Sequence, residues 1–326
     1  MLESLPGPVL TGLLLGVGYG ALAQRTHFCT MGALADFALF GDRRRLQAWL
    51  LAIGVALAGT QALALGGAID PPTPAAPGVP SAVLGGLMFG YGMTLTGGCV
   101  SRNLVLLGTG SLKAGFVLLV VILLASATLG IPTDLRAALD GLAPLPEPIR
   151  GSTTTLVLGL AGGLAIVAWC LLDARFRKAR RELAAGSGIG LLIVLGWLAS
   201  GTSLNPLLGL GGWLSGNADG FLIASVVGVP LGALAVASAK HGLRITSFAD
   251  HADFRRHLGG AVMMGAGGGL ALGCTLGQGV SGVAAFAPPA GLALVGFALG
   301  GFAGIRALEH GSFRGALRAR FAGVKG

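Results

Sequence analysis

Carboxylates are scarce in this chain: 326 residues carry only 13 Asp and Glu, and none falls in the core of a long apolar run. Ionisable groups are costly inside a bilayer and are kept there for a function, so their absence argues against a cation site and against a carboxylate proton relay. The four cysteines form no Cys-x-x-Cys pair and have no histidine cluster beside them. Neither a zinc site nor a thioredoxin-type redox motif is therefore expected, and no cofactor is implied. The chain also lacks a GxxxxGK phosphate loop, so ATP is not an energy source within it. Its basic residues have no aromatic or motif support of the kind a nucleic-acid surface needs, which excludes nucleic acid as a partner.

What is abundant is apolar. Hydrophobic types make up 53% of the residues, charged types 11%, and the mean hydropathy is +0.81, the profile of an all-α integral membrane protein. Glycine follows, at 59 residues. Small residues bring membrane helices close, because lipid gives apolar side chains no reason to prefer one another. Gly12, Gly16 and Gly20 at four-residue spacing read as one such packing face, and Gly296, Gly300 and Gly304 as another.

The net charge of +9 is distributed as a topology signal. Arg43 to Arg45, Lys113, the run Arg175, Arg177, Lys178, Arg180 and Arg181, then Lys240, Arg244, Arg255 and Arg256, and finally a tail with Arg314, Arg318, Arg320 and Lys325 all follow or precede apolar runs. Placing them in the cytoplasm predicts a multi-pass inner-membrane protein with its N-terminus outside and its C-terminus inside. Met1 to Pro8 carries an acid and no base, and the run after it shows no small-residue cleavage pattern, so no signal peptide is expected.

About nine crossings result: Leu10–Ala23, Leu46–Ile69, Ser81–Leu107, Ala114–Gly130, Thr153–Leu172, Gly188–Leu204, Phe221–Ala239, a segment rising from Leu258 to Gly273, and Gly291–Ile305. Two are interrupted. Gly97-Gly98-Cys99 stops the first, and Gly273-Cys274 stops the second, because glycine costs about 1 kcal/mol relative to alanine inside a helix. Short helices are expected beside the breaks, with Met31–Phe40 as another short piece.

A shift of 175 places Gly85 on Gly260, Gly90 on Gly265, Gly92 on Gly267, Gly98 on Gly273 and Cys99 on Cys274. By the loop charges the first half starts outside and the second inside, so the repeats are inverted. The expected organisation is a first membrane repeat over 1–130, then 131–186 with an outside loop, a connecting span and a basic cytoplasmic loop. The inverted second repeat covers 187–305 and a basic tail 306–326. Paired broken helices in inverted repeats form substrate sites near the midplane. A shift of 176 sets Cys29 on Asn205, so the symmetry is imperfect.

Arg102 follows Cys99 by one helical turn and, beside half-helix N-termini, favours an anion. Neutral thiols are weak, polarisable donors that suit a soft sulfur-bearing anion better than sulfate or phosphate. Gln278 and Ser281 are candidates to hold oxyanion oxygens. Cys170, within an ordinary apolar run, reads as packing. His27 and Asp36 belong to the membrane edge, and His241, His251, His257 and His310 to basic loops or the tail.

Phe28-Cys29, Gly98-Cys99 with Arg102, and Gly273-Cys274-Thr275 leading to Gly277-Gln278-Gly279 resemble the YeeE/YedE family of sulfur-compound transporters. The resemblance extends through both repeats. It implies a permease for thiosulfate or a related sulfur or selenium compound, with Cys29, Cys99 and Cys274 passing the anion along by weak hydrogen bonds. It also implies a small cytoplasmic sulfurtransferase-like partner. Two other readings stand beside it: a membrane thiol carrier forming a persulfide at Cys99, and an assembly subunit using its glycine faces.

Overall fold

The computed structural model describes residues 7–70, 72, 77–130, 140–141, 152–202, 204–214, 216, 219–240 and 242–309. The described residues hold thirteen α-helices and one π-helical turn. In chain order they are α1 (Gly7–Thr26), α2 (Thr30–Phe40), α3 (Arg44–Leu65), α4 (Val79–Leu95), α5 (Val100–Gly108) and α6 (Leu112–Leu129). Then follow α7 (Thr153–Leu172), α8 (Ala174–Lys178), α9 (Arg180–Ser200), α10 (Pro206–Leu214), α11 (Gly220–Ala239), α12 (His251–Leu270), the π-turn Gly277–Gly282 and α13 (Pro288–Glu309).

Eight stretches among these residues are long and apolar enough to cross a membrane: Gly7–Phe40, Arg44–Leu65, Val79–Gly108, Leu112–Leu129, Thr153–Leu172, Arg180–Ser200, Gly220–Ala239 and Pro288–Glu309. The chain is a multi-pass membrane protein. The remaining expected crossing falls in α12, which has 20 residues but opens with His251, Asp253, Arg255, Arg256 and His257. Those polar first turns lower its apolarity, and its middle is covered by α4 and α6.

Glycine sets how these helices meet. A Cβ on Gly12, Gly16 or Gly20 of α1 would come within 2.4, 2.1 and 2.0 Å of the carbonyl oxygens of Phe221, Ser225 and Val229 on α11. Each four-residue step on one helix matches a four-residue step on the other, so the two run parallel with backbones almost touching. On the α9/α3 pair, Gly186 meets the Ala48 carbonyl and Gly190 that of Ala52, again in parallel. Gly86 and Gly90 of α4 meet Ala293 and Phe297 of α13, while Gly265 and Gly269 of α12 meet Val121 and Ala125 of α6.

These interfaces obey the repeat. Shifting by about 175 carries α1 to α9, α3 to α11, α4 to α12 and α6 to α13, so the α1/α11 contact maps onto α9/α3 and α4/α13 onto α12/α6. The central contact maps onto itself. A Cβ on Gly85 would lie 2.6 Å from the Gly267 carbonyl oxygen, and one on Gly92 would lie 2.6 Å from that of Gly260. Gly85 corresponds to Gly260 and Gly92 to Gly267, so equivalent helices α4 and α12 pack antiparallel about a pseudo-two-fold axis. The odd helix α7 packs against α3, where Gly163 meets Ala58.

Two sequence-based expectations are corrected. Residues 175–181 are not a loop: Asp173 caps α8 by accepting from the Arg175 and Phe176 amides, Phe176 is fully buried, and α9 begins at Arg180. Arg, Lys, Leu and Ala favour helix wherever a cap starts one. After Asn205 the chain forms α10, opening on Pro206, because proline is well accommodated in a first helical turn. His257 sits in α12, not in a basic loop. It is 8% exposed, its Nδ1 lies 2.8 Å from the Asp253 carbonyl, and it faces the Phe248 ring.

The segment Gly242–Asp250 ties α12 to the α5–α6 turn. Arg244 N donates to Thr109 O, Leu112 N to Thr246 O, and the Thr246 hydroxyl to that of Ser111. Beside it, Asp253 binds Lys113, Arg256 and His257, and Phe116, Phe248 and Phe254 stack edge to face or tilted. The Lys113 ammonium donates to Asp253 and holds its carboxyl well below the usual carboxylate range. The loop residues Asp134, Arg136, Glu147 and Arg150, together with His241, His310 and the basic tail from 310 on, lie outside the described residues.

Candidate functional site

Three cysteines occupy one repeated backbone device. Two residues before each, the chain takes a positive φ: 55° at His27, 73° at Gly97 and 52° at Leu272. Such an angle ends a helix, and glycine alone adopts it freely. Each cysteine carbonyl then accepts the amide four residues on, from Ala33, Asn103 and Gln278, so each cysteine opens a new helical segment. Cys29 and Cys99 are the N-caps of α2 and α5 with extended backbone, and neither thiol makes the cap hydrogen bond. The sulfurs are left for other partners. Asn205 does the same before α10, its carbonyl accepting from Gly209 and its side-chain oxygen from Leu208.

Breaking a helix orphans carbonyls, and buried orphans are expensive. Here side chains take them up. Arg45 donates to His27 O at 2.7 Å while pairing with Asp36 at 2.9 Å. Asn103, 2% exposed, donates to Gly98 O and Cys99 O. Asn205 and Gln278 both donate to Leu272 O at 3.1 Å. The breaks are thus held in shape by amides and one guanidinium that sequence reading did not assign to this task.

The breaks converge. Tyr19, Phe28, Cys29, Thr30, Trp49, Cys99, Arg102, Thr275 and Leu276 surround one small cavity of about 10 Å³. That is room for roughly one water molecule. The Cys274 sulfur lies 3.9 Å from the Ser101 hydroxyl, and Thr275, the next residue in the chain, lines the cavity together with Cys99. Tyr19, 5% exposed, lines the cavity alongside Cys29 and Cys99. The guanidinium of Arg102 keeps Nη1 buried with no partner among the described residues. Helical segments opening at Cys29, Cys99 and Cys274 add the partial positive charge of their N-termini to that of Arg102.

Of the residues singled out from sequence, Cys29, Cys99 and Arg102 line the cavity, and Cys274 lies just behind it through Thr275 and Ser101. Gln278, 2% exposed, is not a lining residue; its amide fastens the Leu272 carbonyl. Ser281 is fully buried and donates to Leu204 O. Cys170 is apart, its thiol donating to Gln47 O among Ala48, Leu51 and Phe176. Tyr19 and Trp49 were missed. Tyr19 carries a signal, being one of only two tyrosines and flanked by the packing glycines; Trp49 in α3 carries none.

Against known proteins, a family model described as sulphur transport matches residues 25–303. Among curated relatives, a protein named thiosulfate transporter TsuA from Escherichia coli (strain K12) is 26% identical over 308 residues, covering 83% of this chain and 86% of the relative. A protein of the same name from Spirochaeta thermophila is 28% identical over 320 residues, covering 90% and 96%. A shorter similarity, 34% over 87 residues, links 27% of this chain to 21% of a probable transporter YedE from E. coli (strain K12).

Proposed function

Starting from the fact that this chain belongs to the sulphur transport family and is a transporter of sulfur compounds rather than an enzyme, we propose that it is a bacterial inner-membrane permease that takes up thiosulfate. The anion would pass between the facing breaks, with Cys29, Cys99 and Cys274 donating weak hydrogen bonds to its soft terminal sulfur in turn. Arg102 and the helix N-termini would hold its charge. Gln278 would act indirectly, by fixing the break that carries Cys274.

The observation that carries this reading is Arg102. A buried guanidinium nitrogen with no partner costs free energy unless an anion visits it, and it shares its cavity with two thiols. A cavity this small needs the breaks to part as the anion arrives, which interrupted helices with few ladder bonds can do more readily than continuous ones. The name shared by the two long relatives supports thiosulfate among sulfur anions. In this reading the N-terminus lies outside, the C-terminus is cytoplasmic, and a small sulfurtransferase-like protein receives the anion inside.

The test is growth on thiosulfate as sole sulfur source of a host without its own thiosulfate and sulfate uptake. Expression of this chain restores growth if the reading holds. Restoration on sulfate but not thiosulfate would reject it.

A further inference from the structure

A second cationic site lies away from the cysteines, between the start of α3 and the turn from α7 into α8. Gly41, Asp42, Arg43, Arg44 and Gln47 on one side, and Asp173, Arg175 and Lys178 on the other, line a cleft of about 840 Å³. Four cations stand there against two carboxylates, and both carboxylates are already engaged. Arg44 binds Asp42 at 2.7 Å. Asp173 accepts the Gln47 amide at 2.9 Å on one oxygen and the Arg175 and Phe176 amides on the other. Arg43, Arg175 and Lys178 are exposed and make no ion pair among the described residues. The floor is fixed: Gln47 is 4% exposed, with its carbonyl held by Cys170.

Each wall of the cleft is preceded in the chain by exposed apolar side chains. Leu39 and Phe40 are 49% and 79% exposed immediately before Gly41. Trp169 and Leu172, 53% and 79% exposed, come just before Asp173. Both segments therefore pass from exposed apolar residues to cations with no carboxylate partner, Arg43 resting over the Phe37 ring at 5.9 Å, and one of them carries a tryptophan of the kind found in aromatic belts. A ligand matching this arrangement is an anion with an apolar part. We infer that the cleft binds the phosphate-ester headgroup of an anionic phospholipid, its acyl chains lying along Phe40 and Leu172. Basic pockets between membrane helices on the cytoplasmic side commonly serve this purpose. The lipid would bridge the start of α3 to α8, which continues from the end of α7, the helix that stands outside the repeat.

The test is native mass spectrometry of the full chain released from nanodiscs containing cardiolipin, phosphatidylglycerol and phosphatidylcholine. The wild type should retain anionic lipid through delipidation, and the triple variant Arg43→Gln, Arg175→Gln, Lys178→Gln should retain at least about tenfold less. Arg255→Gln, an exposed cation elsewhere, should retain as much as wild type, and the single variant Arg43→Gln an intermediate amount. Circular dichroism verifies that the variants keep their helices. A separate arm adds inorganic phosphate to delipidated protein. Displacement of lipid by millimolar phosphate, with equal thermal stabilisation, would show a free-anion site and overturn the lipid assignment. Equal lipid retention by the triple variant, or equal retention of phosphatidylcholine, would overturn it as well.

Discussion

The hydroxyl of Ser101 lies 3.9 Å from the sulfur of Cys274, and Thr275, beside Cys274 in the chain, lines the same cavity as Cys99. Residues of each break thus sit beside the cysteine of the other, and the two breaks meet at one place. If an anion passes through it, both thiols are used. Cys99→Ala and Cys274→Ala are each expected to slow thiosulfate-dependent growth by at least about tenfold, the equivalent of about 1.4 kcal/mol. Cys170→Ala, remote from the cavity, is expected to leave growth unchanged at equal membrane abundance.

Arg102 is expected to set affinity. Arg102→Gln removes a charged hydrogen-bond donor, worth about 1.5–3 kcal/mol, and should raise the KM for uptake by about tenfold or more. Arg102→Lys should recover part of the loss because it keeps the charge but not the planar fork. An unchanged KM for both would assign Arg102 to packing.

The glycine contacts are expected to be intolerant. In Gly92→Val the new Cβ would lie 2.6 Å from the Gly260 carbonyl oxygen, forcing α4 and α12 apart. Overpacking of this kind costs about 1–3 kcal/mol, so thermal unfolding in detergent should shift downward. Gly162→Ala on α7, with nothing within 4 Å, should not shift it downward.

Acid is expected to spare the link between α6 and α12. The folded-state value of Asp253 is depressed, so its contribution is present above the ordinary unfolded value of about 3.9 and is lost only as pH falls through the lower folded one. Hydrogen exchange of residues 242–250 should therefore stay slow at about pH 5 in the wild type. Asp253→Asn should speed it already at neutral pH by removing the charge that Lys113 and Arg256 bind.

Much of the architecture was legible because membranes simplify the code. Apolar length gave the spans, and Gly97-Gly98 gave a break without any tertiary information. The repeat was legible as aligned glycines because Gly85, Gly92, Gly260 and Gly267 are required by one antiparallel contact. Asn103, Asn205 and Arg45 were not legible as braces. Their partners are carbonyls at breaks whose positions in space no spacing rule reveals. Trp49 reaches the cavity from α3, and nothing in its own neighbourhood of sequence distinguishes it from a packing aromatic. The helix over 174–178 was hidden by arginine clustering, which reads as a loop signal until the cap at Asp173 is seen.

The most direct test of the cysteine-lined path is uptake of labelled thiosulfate into vesicles containing only this purified chain. If cysteines line the path, the wild type takes up label in a way that excess unlabelled thiosulfate suppresses and equal sulfate does not, and uptake is lost in Cys99→Ala and Cys274→Ala proteins that retain the wild-type fold. Undiminished uptake in both variants would contradict a cysteine-lined path.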